Sequence, residues 1–259
     1  MSWQRKAGAV IVALVALAAM VSLVWTPYDP LQTEVAARLQ GSSPAHWMGT
    51  DQFGRDIASR VMDGARLTLT VAVGAVGLSG LIGVPLGIWA GMRRGASRVV
   101  MAGADLLLAF PALLLAIVFT AVFGASIWIV VLAIGIAGIP AFVRVARAGT
   151  MQVMQRDYIL AARIAKVSGP AIAWRHVLPN IWPLVLTQVS VAVALAILAE
   201  AGLSFLGLGA PAPYASWGRM LQASQPYLAT SPHLALWPGA AIALTVLGFN
   251  LLGNADDRR

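Results

Sequence analysis

The sequence predicts an all-α integral membrane protein with six transmembrane helices, and three observations carry that reading. Of the 259 residues, 59% are hydrophobic and only 11% are charged, against about 25% charged in an ordinary soluble domain. Six stretches reach or approach the roughly 20 mostly apolar residues that a helix needs to cross the hydrocarbon core. The Lys and Arg residues between those stretches fall mainly on one side once the chain is threaded back and forth.

The first span covers 7–25. Arg5 and Lys6 precede it as they would a secretory signal. However, the apolar run continues into Trp25 and Pro27 with no small-residue cleavage site, so it reads as a retained helix. The second span covers 67–91. There Gly83, Gly87 and Gly91 are four apart, while Gly74, Gly77, Gly80 and Gly83 are three apart. Small residues at such intervals let helix backbones approach closely in lipid, and packing within the chain is their expected use. The third to sixth spans are 99–123, 126–143, 181–203 and 234–253, the fourth ending near Pro140. Pro85, Pro111 and Pro140 lie inside spans and are candidate kinks.

Placing residues 1–6 in the cytoplasm puts thirteen Lys and Arg residues on the inner segments, among them Arg93, Arg94, Arg144, Arg147, Arg163 and Lys166, against Asp157, Asp256 and Asp257. The outer segments hold five (Arg38, Arg55, Arg60, Arg66 and Arg219), balanced by Asp29, Glu34, Asp51, Asp56 and Asp63. This bias predicts an inner-membrane protein with both termini cytoplasmic, 26–66 and 204–233 outside, and 254–259 as a short inner tail. It also accounts for the net charge of +8 without nucleic acid; the partner of this basic chain is the lipid bilayer.

The outer segment 26–66 carries turn chemistry at Asp51 and Gly54. Asp51 is placed to cap a helix beginning near Arg55, with 56–67 a short helix leading into the second span. Asp51, Asp56 and Asp63 lack the alternating ligand positions of a calcium loop. The inner segment 144–180 is 37 residues long, far more than a connection needs. Its middle, 151–167, lacks Pro and Gly and reads as a helix. Ser168-Gly169-Pro170 breaks it, and a second short helix, 171–177, ends before Pro179. Ile159, Leu160, Ala162 and Ala165 interleave with Arg156, Arg163 and Lys166, a pattern that suits the membrane surface or a partner's cleft.

No catalytic, cofactor or metal site is expected. Cysteine is absent, and the only lysines, Lys6 and Lys166, lie outside any phosphate-binding loop. His46, His176 and His233 fall on opposite sides of the membrane in this threading. Asp105 and Glu200 are the two acids within spans and are functional candidates on that ground. Asp105 lies seven residues past Arg98, about 10 Å of helix rise, which makes that arginine a candidate partner. Glu200 lies near the outer end of its span, where a cap or a salt bridge is natural.

An ordered set of motifs sharpens the reading. It runs from Gly49-Thr50-Asp51 and Gly54-Arg55-Asp56 through Ala109-Phe110-Pro111, Ala161-Ala162-Arg163 and Arg175-His176-Val177-Leu178-Pro179-Asn180. It continues with Glu200-Ala201, Leu203-Ser204-Phe205-Leu206-Gly207-Leu208-Gly209, Ser216-Trp217-Gly218 and Phe249-Asn250-Leu251-Leu252-Gly253. With these the chain resembles the permease subunits of the peptide/nickel branch of ATP-binding-cassette importers, in particular the second of their two permeases.

The resemblance implies a type I importer permease fold, a homologous second permease, two ATPase subunits and an extracytoplasmic binding protein. Peptides, nickel or metal chelates are the implied cargo. It also implies that 144–180 is the coupling loop, with Tyr158, Leu160, Ala161, Ala162, Arg163 and Lys166 as its ATPase-coupling residues. Here Leu160 stands where the family has Glu, and Lys166 where it has Gly. A self-sufficient secondary transporter or channel is the alternative. It requires a discontinuous helix near the midplane and an inverted repeat, and neither is visible in the sequence.

Overall fold

The computed structural model describes residues 3–209, 211 and 213–253; the predicted tail 254–259 lies outside them. α1 (Trp3–Val21), α2 (Ile57–Met92), α5 (Ile127–Val153), the continuous run Gly169–Phe205 and α10 (His233–Gly253) are each long and apolar enough to cross a membrane. The pair α3 (Arg94–Ala109) and α4 (Ala112–Phe123) is bent by 79° and counts as a sixth crossing when the two are taken as one broken span. The protein is therefore a multi-pass helical membrane protein.

Several boundaries differ from the sequence expectation. α2 absorbs the expected short helix 56–67 into one helix of 36 residues, or about 54 Å. Its N-cap is Asp56, not Asp51: the Asp56 carboxylate accepts from the Ser59 N–H at 2.8 Å and the Ser59 hydroxyl at 2.7 Å. Asp51 instead builds the preceding turn. It accepts from the Phe53 and Arg55 N–H groups and pairs with the Arg55 side chain at 2.7 Å. Gly54 closes that turn at φ +76°, a conformation that glycine adopts without steric cost.

The expected third span is broken rather than kinked. Phe110 precedes Pro111, and the proline ring drives the residue before it out of the α region. Phe110 accordingly sits at φ −94°, ψ 123°.

α5 passes through Pro140 and continues ten residues beyond the expected end at 143. The expected helix 151–167 is then interrupted at 154–156, and its second part is α6 (Asp157–Ile164). The expected end before Pro179 is absent as well. α7 (Gly169–Ile172) runs through a π-helical turn, Ala173–Val177, into α8 (Leu178–Phe205). Within it the Leu178 N–H reaches back five residues to the Ala173 carbonyl. Pro179 then occupies the first turn of α8, where its missing N–H costs little. α9 (Trp217–Ser224) lies at the opposite end of the bundle from α6.

The glycines of α2 serve packing within the chain, as expected. A Cβ on Gly83 would lie 2.6 Å from Cβ of Phe142, and one on Gly87 would lie 2.6 Å from the Val143 carbonyl oxygen. From the other side, the Ser79 hydroxyl donates to the Gly135 carbonyl at 2.6 Å. α2 and α5 thus meet backbone to backbone, the close approach that small residues permit. Gly8 and Gly248 do the same for α1 and α10, where a Cβ on Gly8 would sit 2.7 Å from the Gly248 carbonyl oxygen.

Candidate coupling segment and transmembrane groove

α6 is laid against the bundle by two apolar residues one turn apart. Ile159 and Ala162 are 1% and 9% exposed, and both belong to the main apolar core. On the opposite face Leu160 and Ile164 are 60% and 75% exposed, Ala161, Arg163 and Lys166 are exposed around them, and Tyr158, on the flank nearer the bundle, is 44% exposed. Ala162, one of the six expected coupling residues, therefore faces its own chain. Ile164, which sequence reasoning did not single out, is the most exposed apolar residue of the helix.

The end of α6 is a turn that favours glycine, the residue the resemblance implies where Lys166 stands. The Lys166 N–H bonds the Arg163 carbonyl at 3.0 Å, and the Val167 N–H reaches back to the Ala162 carbonyl at 3.0 Å. This is the Schellman arrangement, with Val167 packed on the core as its apolar clasp. Lys166 takes the position that needs a left-handed backbone, at φ 55°, and a non-glycine residue pays about 1–2 kcal/mol there. The lysine side chain is exposed. Lys166→Gly is accordingly expected to stabilise the chain by about 1 kcal/mol, raising the melting temperature by about 2–4 °C. Lys166→Val, which adds β-branching at a positive φ, is expected to lower it. Thermal denaturation of the purified variants reads both.

α6 is held beside the π turn through Tyr158, whose ring lies 6.2 Å from that of His176. The π turn in turn borders a groove of about 910 Å³ between α2 and α8. Gly169, Pro170, Ala173 and Trp174 line its α6 end, Val185, Val189 and Val193 one wall, and Gly77, Gly80 and Val84 the other. Phe142 and Phe249 also line it, and Arg93 is the single charged residue among its lining. The groove was not legible in the sequence, because its walls are about a hundred residues apart.

The two intramembrane acids are placed far apart. Asp105 pairs with Arg144 at 2.7 Å, not with Arg98, because α3 packs along α5 and brings that arginine within reach. Both side chains are half exposed on the surface of the bundle. Arg147 adds a second tie between the same helices, donating to the Ser97 hydroxyl at 2.8 Å. Glu200 is buried at 1% exposure and is held by hydroxyls rather than by the cap or salt bridge expected. Thr68 of α2 donates at 3.1 Å and Ser204 of α8 at 2.7 Å, and Ser216, the N-cap of α9, is a third partner. Thr68 and Ser216 were not visible as site residues in the sequence.

Among the described residues, no three His, Asp or Glu side chains converge as a metal site. His46 bonds Asp56 at 2.9 Å, and His233 lies against Gly49.

Comparison with known proteins agrees with this architecture. The family described as "Binding-protein-dependent transport system inner membrane component" matches residues 83–255. A glutathione transport system permease protein of Pectobacterium atrosepticum is 40% identical over 250 residues, covering 96% of this chain and 83% of the relative. A dipeptide transport system permease protein of Alkalihalophilus pseudofirmus is 38% identical, covering 95% and 82%. A nickel transport system permease protein of Escherichia coli is 33% identical, covering 98% and 92%.

Proposed function

The chain belongs to the family of binding-protein-dependent transport system inner membrane components, and we propose that it is the half-passage of an ATP-driven importer of peptides, nickel or metal chelates. A homologous permease supplies the other half, two ATPase subunits bind below, and an extracytoplasmic binding protein delivers cargo from above. In this reading both termini and 144–180 face the cytoplasm, while 26–66 and 204–233 face outward. The chain does no catalysis; ATP is hydrolysed by the partner subunits.

The observation that carries this reading is the exposed apolar face of α6. Leu160 and Ile164 are exposed on a helix too short and too charged to span, with Arg156, Arg163 and Lys166 around them. Such a face fits an apolar cleft with an acidic rim on an ATPase subunit. Movement of α6 then reaches the groove through the Tyr158–His176 contact and the π turn, and the groove is the share of the passage that this chain contributes. The self-sufficient transporter is set aside. Among the described residues the one bent helix pair, α3–α4, breaks at Ala109, Phe110, Pro111 and Ala112, which offer no polar side chain for an ion or a substrate.

Two experiments test the arrangement. Purification of this chain from its native host is expected to recover a second permease, an ATPase and a binding protein by mass spectrometry. A stable lone monomer would sink the assembly. The sequence has no cysteine, so single cysteines can be labelled without background. An impermeant thiol reagent, given access to the outer face of the inner membrane, is expected to label Ser43→Cys and spare Gln155→Cys. The reverse pattern overturns the threading.

A further inference from the structure

We propose that Glu200 is a positioning residue for transport: together with Thr68 it holds the α9 end of the groove shut, and this tie parts during the cycle. The inference rests on the reading of the groove as a passage. On α2 the groove lining begins at Val73, five residues past Thr68, and on α8 it stops at Val193, seven residues short of Glu200. The two helices are therefore joined about one and a half to two turns beyond the groove, by the Thr68–Glu200 bond at 3.1 Å. Toward α6 the same helices stand apart by the width of the groove.

The chemistry of the tie suits a closure that reopens. Glu200 is held by three neutral hydroxyls from α2, α8 and the start of α9. A helical threonine that leaves such a partner has a replacement in the carbonyl four residues earlier on its own helix, so Thr68 is not orphaned when the seam opens. A second tie crosses the same seam: the Trp217 indole N–H of α9 donates to the Val61 carbonyl of α2 at 2.9 Å. α9 is packed closely on both helices: Gly218 lies on the Ala201 carbonyl of α8 with no room for a Cβ, and Gly64 of α2 lies against the Trp217 ring. When the seam parts, the bond from Thr68 breaks, and where α9 keeps its seat on α8 the bond from Trp217 breaks with it.

The test uses the whole complex in proteoliposomes. Thr68→Val and Glu200→Ala are expected to raise ATPase activity without binding protein by about 5-fold, the shift that loss of one such hydrogen bond gives a two-state equilibrium. Stimulation by loaded binding protein falls correspondingly. Glu200→Gln, which keeps an acceptor oxygen, is expected to stay near wild type. If Glu200→Ala does not fold, Trp217→Phe cuts only the second tie and is expected to shift the ratio in the same direction.

The stronger arm is a bridge. Thr68→Cys with Glu200→Cys, joined by a short reducible bifunctional thiol reagent, is expected to stop transport, and reduction is expected to restore it. A bridged complex that transports as fast as the unbridged double variant overturns the inference. So do variants that lower stability and basal activity together while leaving the stimulation ratio unchanged. A wild-type complex with no ATP-driven uptake defeats the reading of function instead, which keeps the two failures distinct.

Discussion

Gly87→Leu is expected to prevent recovery of the folded chain. A Cβ on Gly87 would stand 2.6 Å from the Val143 carbonyl oxygen and 2.7 Å from Cβ of Ala146. Both are parts of α5 that cannot swing aside as a long side chain would. Overpacking of a well-filled contact costs about 1–3 kcal/mol where side chains can adjust, and a backbone-to-backbone contact lies at the upper end or beyond. The α2–α5 contact is also the one on which α6 is carried, because α5 leads directly into it. Gly77→Leu is the matched control. It lies ten residues earlier on the same helix, and nothing stands within 4 Å of its Cβ position. Detergent extraction followed by size exclusion is expected to give a monodisperse peak for Gly77→Leu and aggregate for Gly87→Leu. Equal recovery of the two would show that the α2–α5 approach is not as close as described.

Ile164→Asp is expected to uncouple transport while sparing the fold. The side chain is 75% exposed, so a carboxylate there meets water in the isolated chain and leaves its stability unchanged. In the proposed ATPase cleft the same change removes about 1.5–3 kcal/mol of apolar burial and adds the cost of desolvating an unpaired charge. ATPase subunits are expected to bind at least about 10-fold more weakly, and uptake by the assembled complex is expected to be lost. Ala162→Asp separates the two faces of the helix. Ala162 is packed on its own chain, so a carboxylate there detaches α6 from the bundle and lowers thermal stability as well. Melting curves and ATPase pull-down on the two variants, measured side by side, check the assignment. An Ile164→Asp chain that retains its ATPase would show that the free face of α6 is not the docking face.

The membrane class and the helical spans were legible in the sequence because they depend on composition and length. Those signals survive without knowledge of contacts. Pro111 marked a disturbance, but the size of the bend was set by what the proline does to Phe110, and that is a backbone matter. Which of two aspartates caps α2 depends on where the turn at Gly54 ends, and a one-turn shift moved the role from Asp51 to Asp56.

The face of α6 was not readable at all. In an eight-residue helix the apolar spacing admits either face, and the bundle decides by accepting Ile159 and Ala162. Glu200 was visible as an intramembrane acid, yet its partner Thr68 lies 132 residues away in the chain, beyond any local pattern. Lys166 is the opposite case. The glycine that the resemblance implies at that position is the residue a left-handed backbone favours, and the Schellman turn at φ 55° supplies the physical reason.

The most direct test of the account is uptake by the reconstituted assembly. Proteoliposomes carrying this chain, its second permease and the ATPase subunits, supplied with loaded binding protein, are expected to accumulate cargo only when ATP is present on the ATPase side. Accumulation should cease when ATP, the ATPase or the binding protein is withheld. Movement of cargo through this chain alone, with no ATPase present, would contradict the account.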